Sequence, residues 1–243
     1  MKGIDISTHQ KKVDYDGLKK KGIEFVIIRS GYGKDKNQKD EMFEKHYEGC
    51  KKAGLKVGCY HYSYVTSVEN AEKEAFNCLE HIKGKTFDLP VYYDIEEKRT
   101  RELGNVLVNE CILRFKRIIN QAGFRVGVYA SLDWFRNVIN INILKQENIS
   151  IWCAQWNNKL TANFDVDIWQ YSDYDLGYDS NILINKNIIV DNVEKPVDNL
   201  NYKEMAVDVI LGKYGNGQER KNNLGNNYKF VQDIVNQIIM VIK

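Results

Sequence analysis

The sequence predicts an α/β chain in two parts, a barrel of about eight strands followed by a small all-α bundle of three helices. Three observations carry this reading. From the N-terminus to about residue 130, short apolar runs alternate five times with amphipathic helical segments, which argues for parallel strands joined by right-handed crossovers. Between Ile149 and Val190 strand-like runs follow one another with no helix-length segment between them. Beyond Lys195-Pro196-Val197 the apolar spacing is helical throughout.

The elements follow in order. Gly3-Ile4-Asp5-Ile6-Ser7 alternates as a short strand with Asp5 at its end. Asp14 caps a helix through Leu18 that Gly22 closes, and Phe25-Val26-Ile27-Ile28-Arg29 is a continuous apolar run of the kind buried on both faces. A helix with Met42, Phe43 and Tyr47 ends at Gly54, before the strand Val57 to Tyr64. Ser67 caps a helix whose stripe is Ala71, Ala75, Cys78, Leu79 and Ile82, and Gly84 ends it. Leu89 to Glu97 is the fourth strand. A long helix with Leu107, Cys111, Ile112, Phe115, Ile118 and Ile119 on one face closes at Gly123, and Val126 to Ala130 is the fifth strand. The late strands are read at Ile151–Trp156, Val166–Tyr171 and Ile188–Val190.

Composition narrows the function. A hydrophobic content of 43% over 243 residues is ample for a core, and a net charge of +2 gives no electrostatic footprint for nucleic acid. Cys50, Cys59, Cys78, Cys111 and Cys153 are odd in number and lack a C-x-x-C pair, which fits reduced thiols. His9, His46, His61 and His81 form no spaced ligand set with them, so neither metal nor cofactor is expected. No run reaches the ~18 apolar residues of a membrane span, and the N-terminus enters a strand without an apolar leader. Synthesis in a cytoplasm without a signal peptide is therefore expected, with no membrane insertion.

The chemistry is read at Tyr93-Asp94-Ile95-Glu96. Strand periodicity puts Asp94 and Glu96 on one face, roughly 6 to 7 Å apart at Cβ from a rise of about 3.3 Å per residue. Proximity disfavours ionising both, so one acid can keep its proton near neutrality, as glycosidic hydrolysis requires of a proton donor beside a second carboxyl group. The plainer alternative is an acidic strand end that faces water or binds a cation. In a closed parallel barrel the working residues sit at the C-terminal strand ends. Asp5, Tyr62, Asp94, Glu96, Tyr129, Trp156, Gln170 and Asp191 all fall at or just beyond such ends.

Over residues 1–194 these motifs resemble the family-25 glycoside hydrolases, muramidases of bacterial cell walls. The resemblance rests on Gly3-Ile4-Asp5-Ile6-Ser7, Gly58-Cys59-Tyr60-His61-Tyr62, Tyr93-Asp94-Ile95-Glu96, Trp152 to Trp156 and Ile168-Trp169-Gln170-Tyr171. The pattern departs at Asp191, which follows an unusual Asn- and Ile-rich stretch, and at His9, where relatives commonly carry tryptophan. The resemblance implies an irregular TIM-like (β/α)5(β)3 barrel and cleavage of the β-1,4 bond between N-acetylmuramic acid and N-acetylglucosamine. It implies Glu96 as general acid and Asp94 as the group that steers the substrate's 2-acetamido oxygen, with Asp5 and Asp191 holding charge around them. Tyr62, Tyr129, Trp156, Gln170 and Tyr93 are the expected substrate contacts. Bacterial peptidoglycan is the implied partner, and a phage endolysin released by a holin-type partner is the leading biological setting. A bacterial autolysin, a chitinase-like carbohydrase and a non-catalytic wall-binding protein are the alternatives.

The expected division is a catalytic barrel over 1–194, a linker over 195–199 and a helical domain over 200–243. In the last, one stripe holds Ala206, Val209 and Ile210, a short helix runs from Gln218 to Leu224, and a third stripe holds Phe230, Val231, Ile234, Val235, Ile238 and Ile239. A wall-binding module, an oligomerisation bundle and a DNA-binding helix-turn-helix all fit such a pattern. The Gly-Lys-Tyr-Gly-Asn-Gly string resembles the wall-binding repeat of some phage lysins, which implies ligand contacts at Lys213, Tyr214, Asn216, Gly217, Glu219 and Arg220.

Overall fold

The structure, a computed structural model, describes residues 1–175, 177–190 and 202–242. The chain divides into two compact units, Met1–Pro196 and Val197–Lys243. The first is a closed eight-stranded barrel with strands in sequence order. Its elements are β1 (Lys2–Ile6), α1 (Tyr15–Lys20), β2 (Ile23–Tyr32), α2 (Phe43–Lys52), β3 (Lys56–Tyr62), α3 (Val68–His81) and β4 (Val91–Asp94). There follow α4 (Lys98–Arg101), α5 (Gly104–Gln121), β5 (Val126–Ser131), α6 (Leu132–Asn137), α7 (Ile141–Gln146), β6 (Ser150–Ala154), β7 (Ile168–Asp175) and β8 (Tyr178–Leu183). Strands β1 to β7 pair in parallel, and β8 returns antiparallel to both β7 and β1.

The caps read from the sequence close the helices. Asp14 accepts from the Gly17 amide at 2.9 Å, and Ser67 accepts from the Asn70 amide at 3.2 Å. Inside the barrel, Phe25, Ile27, Leu89, Tyr92, Trp152, Ile168, Leu183 and Ile188 pack into one apolar plug. Gly3 and Gly127 make room for it, because a Cβ at either would run into the rings of Phe25 and Tyr92. Outward residues meet the helices: Tyr93 stacks on Phe115 of α5 with ring centroids 3.9 Å apart. The five cysteines are buried and unpaired, and among the described residues no helix is long and apolar enough to cross a membrane.

The eighth strand is a correction. Ile188–Val190 is not a strand; Lys186–Ile188 is a short 3-10 turn capped by the Asn185 side chain, and Ile188 is buried in the apolar plug. Strand β8 is instead Tyr178-Asp179-Ser180-Asn181-Ile182-Leu183. An apolar-run criterion misses it because its inward positions carry the polar groups of the barrel mouth.

The second unit contains α8 (Tyr202–Ile210), α9 (Gly217–Leu224) and α10 (Tyr228–Ile242). Ala206 and Val209 are buried with Leu224, Val231 and Val235, whereas Ile210 and Ile239 of the expected stripes are exposed. The expected linker, 195–199, and the Phe230 side chain lie outside what the structure describes.

Candidate active site

Register brings the site together. Tyr62 of β3 pairs with Asp94 of β4, and Asp94 pairs with Tyr129 of β5, so the three stand in one row at the C-terminal strand ends. On the far side of the mouth Gln170 of β7 pairs with Asn181 of β8, and Asp5 of β1 pairs with Asp179 of β8. The ladder continues past β4, with the Ile95 amide donating to Tyr129 O at 2.9 Å and the Ser63 amide to Asp94 O at 3.1 Å, which holds the Glu96 backbone at the rim. The resulting cleft, about 310 Å³, is lined by Asp5, Arg29, Tyr60, Tyr62, Asp94, Glu96, Tyr129, Trp152, Trp156, Gln170, Asp173 and Asp179.

The two acids at and just beyond the end of β4 have different surroundings. Asp94 is 4% exposed at the floor, and its Oδ1 is buried without a hydrogen-bond partner. Burial first, then the Glu96 and Asp5 charges, push its carboxyl well above the usual range, with Arg29 pulling the other way. Glu96 reaches solvent in the cleft. Its carboxyl is raised chiefly by the protein atoms crowding it; the Tyr62 hydroxyl opposes this, and Glu97 and Asp179 reinforce it. The Tyr62 hydroxyl itself donates to Glu97 Oε1 at 2.7 Å.

Asp5 accepts from Gln170 Nε2 at 2.9 Å and from Asn181 Nδ2 at 2.8 Å, both on Oδ2. Burial and then the facing Asp179 nevertheless raise its carboxyl, because two acids in side-chain hydrogen-bond contact hold a proton between them. Asp179 is raised by burial and by Asp173, and the Asp5 bond and His9 oppose the rise. The cleft therefore concentrates carboxyl groups that cannot all be ionised at neutral pH, with Arg29 as the cation among its lining residues. Arg29 is held from behind by Asp40, Nε to Oδ2 at 2.8 Å.

Asp5, Tyr62, Asp94, Glu96, Tyr129, Trp156 and Gln170 thus converge as the strand-end argument expects. Asp191 lies outside the described residues. The carboxylate that stands beside Asp5 is Asp179, which sequence reasoning missed together with Arg29, Tyr60, Asp173 and Asn181. The available signal was the alternation Asp179-Ser180-Asn181, period two on a polar strand.

Tyr93 is a second correction. It is 0% exposed on the helix-facing side of β4, and its hydroxyl donates to Glu74 at 2.6 Å. Strand periodicity sends it away from the face that carries Asp94. Gln170 lines the cleft but is fully engaged: its Oε1 accepts from Tyr129 OH at 3.0 Å and from Trp156 Nε1 at 3.1 Å, and its amide nitrogen serves Asp5. Trp156, 62% exposed, is left as a flat apolar wall.

In the second unit the string around Gly215 is a turn. Gly215 and Gly217 adopt positive φ of 68° and 54°. Arg220 donates from Nε to Gly215 O at 3.1 Å, from Nη1 to Gln232 Oε1 at 2.9 Å and from Nη2 to Asn216 Oδ1 at 2.9 Å. Lys213 pairs with Asp208 at 2.6 Å, and Lys213, Asn216, Gly217 and Glu219 are exposed while Tyr214 is half-buried.

Comparison with known proteins accords with this geometry. The model of glycosyl hydrolases family 25 matches residues 4–177, and that of the CW_7 repeat matches residues 203–239. The autolytic lysozyme of Clostridium acetobutylicum is 25% identical over 224 residues, covering 87% of this chain and 66% of the relative. The lysozyme of Streptococcus phage Cp-7 is 31% identical over 196 residues, covering 75% of this chain and 55% of the relative. The chain thus spans about two-thirds and about half of the lengths of these relatives. Among solved structures, the CTP1L endolysin superposes with a TM-score of 0.66 at 24% identity, over 76% of this chain and 67% of that one, a likeness of fold. With the family model spanning β1 through β7 and the acid-lined mouth where the barrel puts it, the chain belongs to the glycosyl hydrolases of family 25.

Proposed function

We propose that the protein is an N-acetylmuramidase that cleaves the β-1,4 bond between N-acetylmuramic acid and N-acetylglucosamine in bacterial peptidoglycan. The observation that carries this reading is the placement of Asp94 and Glu96, one at the floor of an aromatic cleft and one at its rim. Glu96, reachable from solvent and raised toward its protonated form, donates a proton to the glycosidic oxygen as the bond to the anomeric carbon breaks. The substrate's own 2-acetamido oxygen bonds to that carbon, with retention. Asp94, whose Oδ1 has no protein partner, accepts from the acetamido N–H and orients the amide. The Glu96 carboxylate then takes a proton from water as the water opens the ring intermediate, which restores the acid. The Asp5–Asp179 pair keeps negative charge close to the site, and Trp156 and Tyr62 provide sugar-stacking walls.

The second unit, matching the CW_7 repeat, holds the enzyme on the wall, and the exposed polar side chains at the Gly215 turn are its contact surface. The names of the two relatives, an autolytic lysozyme and a phage lysozyme, support action at the cell wall. In the phage setting the chain is an endolysin for which a holin-type partner opens the way. The test is mass analysis of digested peptidoglycan after borohydride reduction. Reduced muramic ends are expected; reduced glucosamine ends or free peptides would overturn the assignment.

A further inference from the structure

Behind the cleft, on the helix side of the barrel wall, lies a carboxylate that the reaction does not use. Glu74 projects from α3, is 1% exposed, and receives three donors. The Tyr64 amide reaches Oε1 at 2.9 Å, while Ser63 Oγ at 2.8 Å and Tyr93 OH at 2.6 Å both reach Oε2. The Tyr64 amide can only donate, and the Ser63 and Tyr93 hydroxyls, themselves 3.0 Å apart, can each turn a proton toward the carboxyl, an arrangement that suits its ionised form. Burial lifts this carboxyl to about 6, against the pull of Tyr93, Ser63, the Tyr64 amide and Lys34, so the ionised form prevails at neutral pH. Glu74 has no salt-bridge partner among the described residues. A buried charge without an ion pair is a poor device for stability, since a neutral side chain of similar volume avoids the desolvation cost.

The identity of the three donors gives the group its meaning. Ser63 and Tyr64 follow Tyr62, and Tyr93 precedes Asp94, and Tyr62 and Asp94 are register partners on neighbouring strands. Side chains alternate across a strand, so gripping the outward residues at the ends of β3 and β4 fixes the pitch of the inward ones. The same network is tied sideways by Ser63 Oγ, which accepts from the Val65 amide at 3.1 Å, and by the Ser63 amide bond to Asp94 O.

We propose that Glu74 is a positioning residue for glycan cleavage, which sets Tyr62 and Asp94 relative to each other by holding Ser63, Tyr64 and Tyr93 from behind. This rests on the reading of the cleft as the active site. The test uses the full chain and its variants Glu74→Gln, Tyr93→Phe and the double variant, assayed on a soluble peptidoglycan fragment well below the melting temperature, with circular dichroism as the check of fold. Misplacing reacting groups by a fraction of an ångström costs on the order of tenfold or more, so Glu74→Gln is expected to lower kcat by about that factor while KM changes less than about twofold. Tyr93→Phe should lower kcat severalfold, and the double variant should fall short of the product of the two because both remove one contact.

Parent kcat in folded Glu74→Gln would overturn the proposal even if its Tm falls. Should that variant not fold, Tyr93→Phe decides: unchanged kcat there overturns it equally. The two readings fail separately, since the bond cleaved is read from the parent's products and the role of Glu74 from the ratio of variant to parent.

Discussion

Glu96 and Gln170 both line the cleft, yet their environments assign them opposite kinds of work. Glu96 reaches solvent and its carboxyl is raised, so in its proposed role as general acid Glu96→Gln is expected to lower kcat by about 10²- to 10⁴-fold with little change in Tm, measured by turbidity clearing and thermal melts. Gln170 is spent on Tyr129, Trp156 and Asp5. Gln170→Ala strands buried groups and should cost roughly 1–3 kcal/mol in denaturant unfolding, along with a shift in Trp156 fluorescence. Both residues were legible as strand-end candidates, because position on a barrel strand depends on pattern alone. Gln170 being already occupied was not, since its three partners come from β1, β5 and the segment after β6.

At the scale of the element, the helices obey their local chemistry, and the exceptions lie where an element faces the site. Asp14 and Ser67 cap α1 and α3 as read, and apolar periodicity locates β1 to β7 within a few residues. Strand β8 eludes that criterion because Asp179 and Asn181 face the polar mouth. The same shift in meaning occurs in the second unit, where Arg220 is an internal clamp whose three hydrogen bonds join the Gly215 turn to α10. Arg220→Ala is expected to loosen that turn and lower the helical signal of the second unit on heating. If its melting is unchanged while wall binding drops in a pull-down, the side chain belongs to the contact surface instead.

For the whole molecule, the clustered acids make function costly in stability. Asp5, Asp94, Glu96 and Asp179 all hold protons more tightly folded than unfolded. As pH rises past the unfolded carboxyl values, the unfolded chain gives up these protons first, and stability falls. Buried His61 and His81, lowered to about 3 and about 4, act oppositely: the unfolded chain gains protons below about 6.5, so stability falls on acidification there. Between pH 6.5 and 8 the acids come to dominate as the histidines of the unfolded chain lose their protons. Asp5, pushed up to about 8, alone contributes at most about 2 kcal/mol across that window, at 1.36 kcal/mol per pH unit. Tm should therefore drop from pH 6.5 to 8, by at most roughly 4–8 °C. Asp5→Asn should flatten the slope, because an amide at this position can still accept from Gln170 and Asn181 while presenting a donor to Asp179. An unchanged slope would place the titration elsewhere.

The division of labour between chain and fold follows from range. The sequence by itself determined the alternation of strands and helices, the caps, the β4 acid pair and the turn glycines, because each depends on neighbours a few residues apart. Only the tertiary structure decided that Asp179 stands beside Asp5, that the Tyr93 hydroxyl meets Glu74 of α3, and that Arg29 is the cation among the cleft's acids. Those outcomes arise from barrel closure, which pairs the first strand with the last and sets residues more than 170 positions apart within a single hydrogen bond, as Asn181 and Asp5 are.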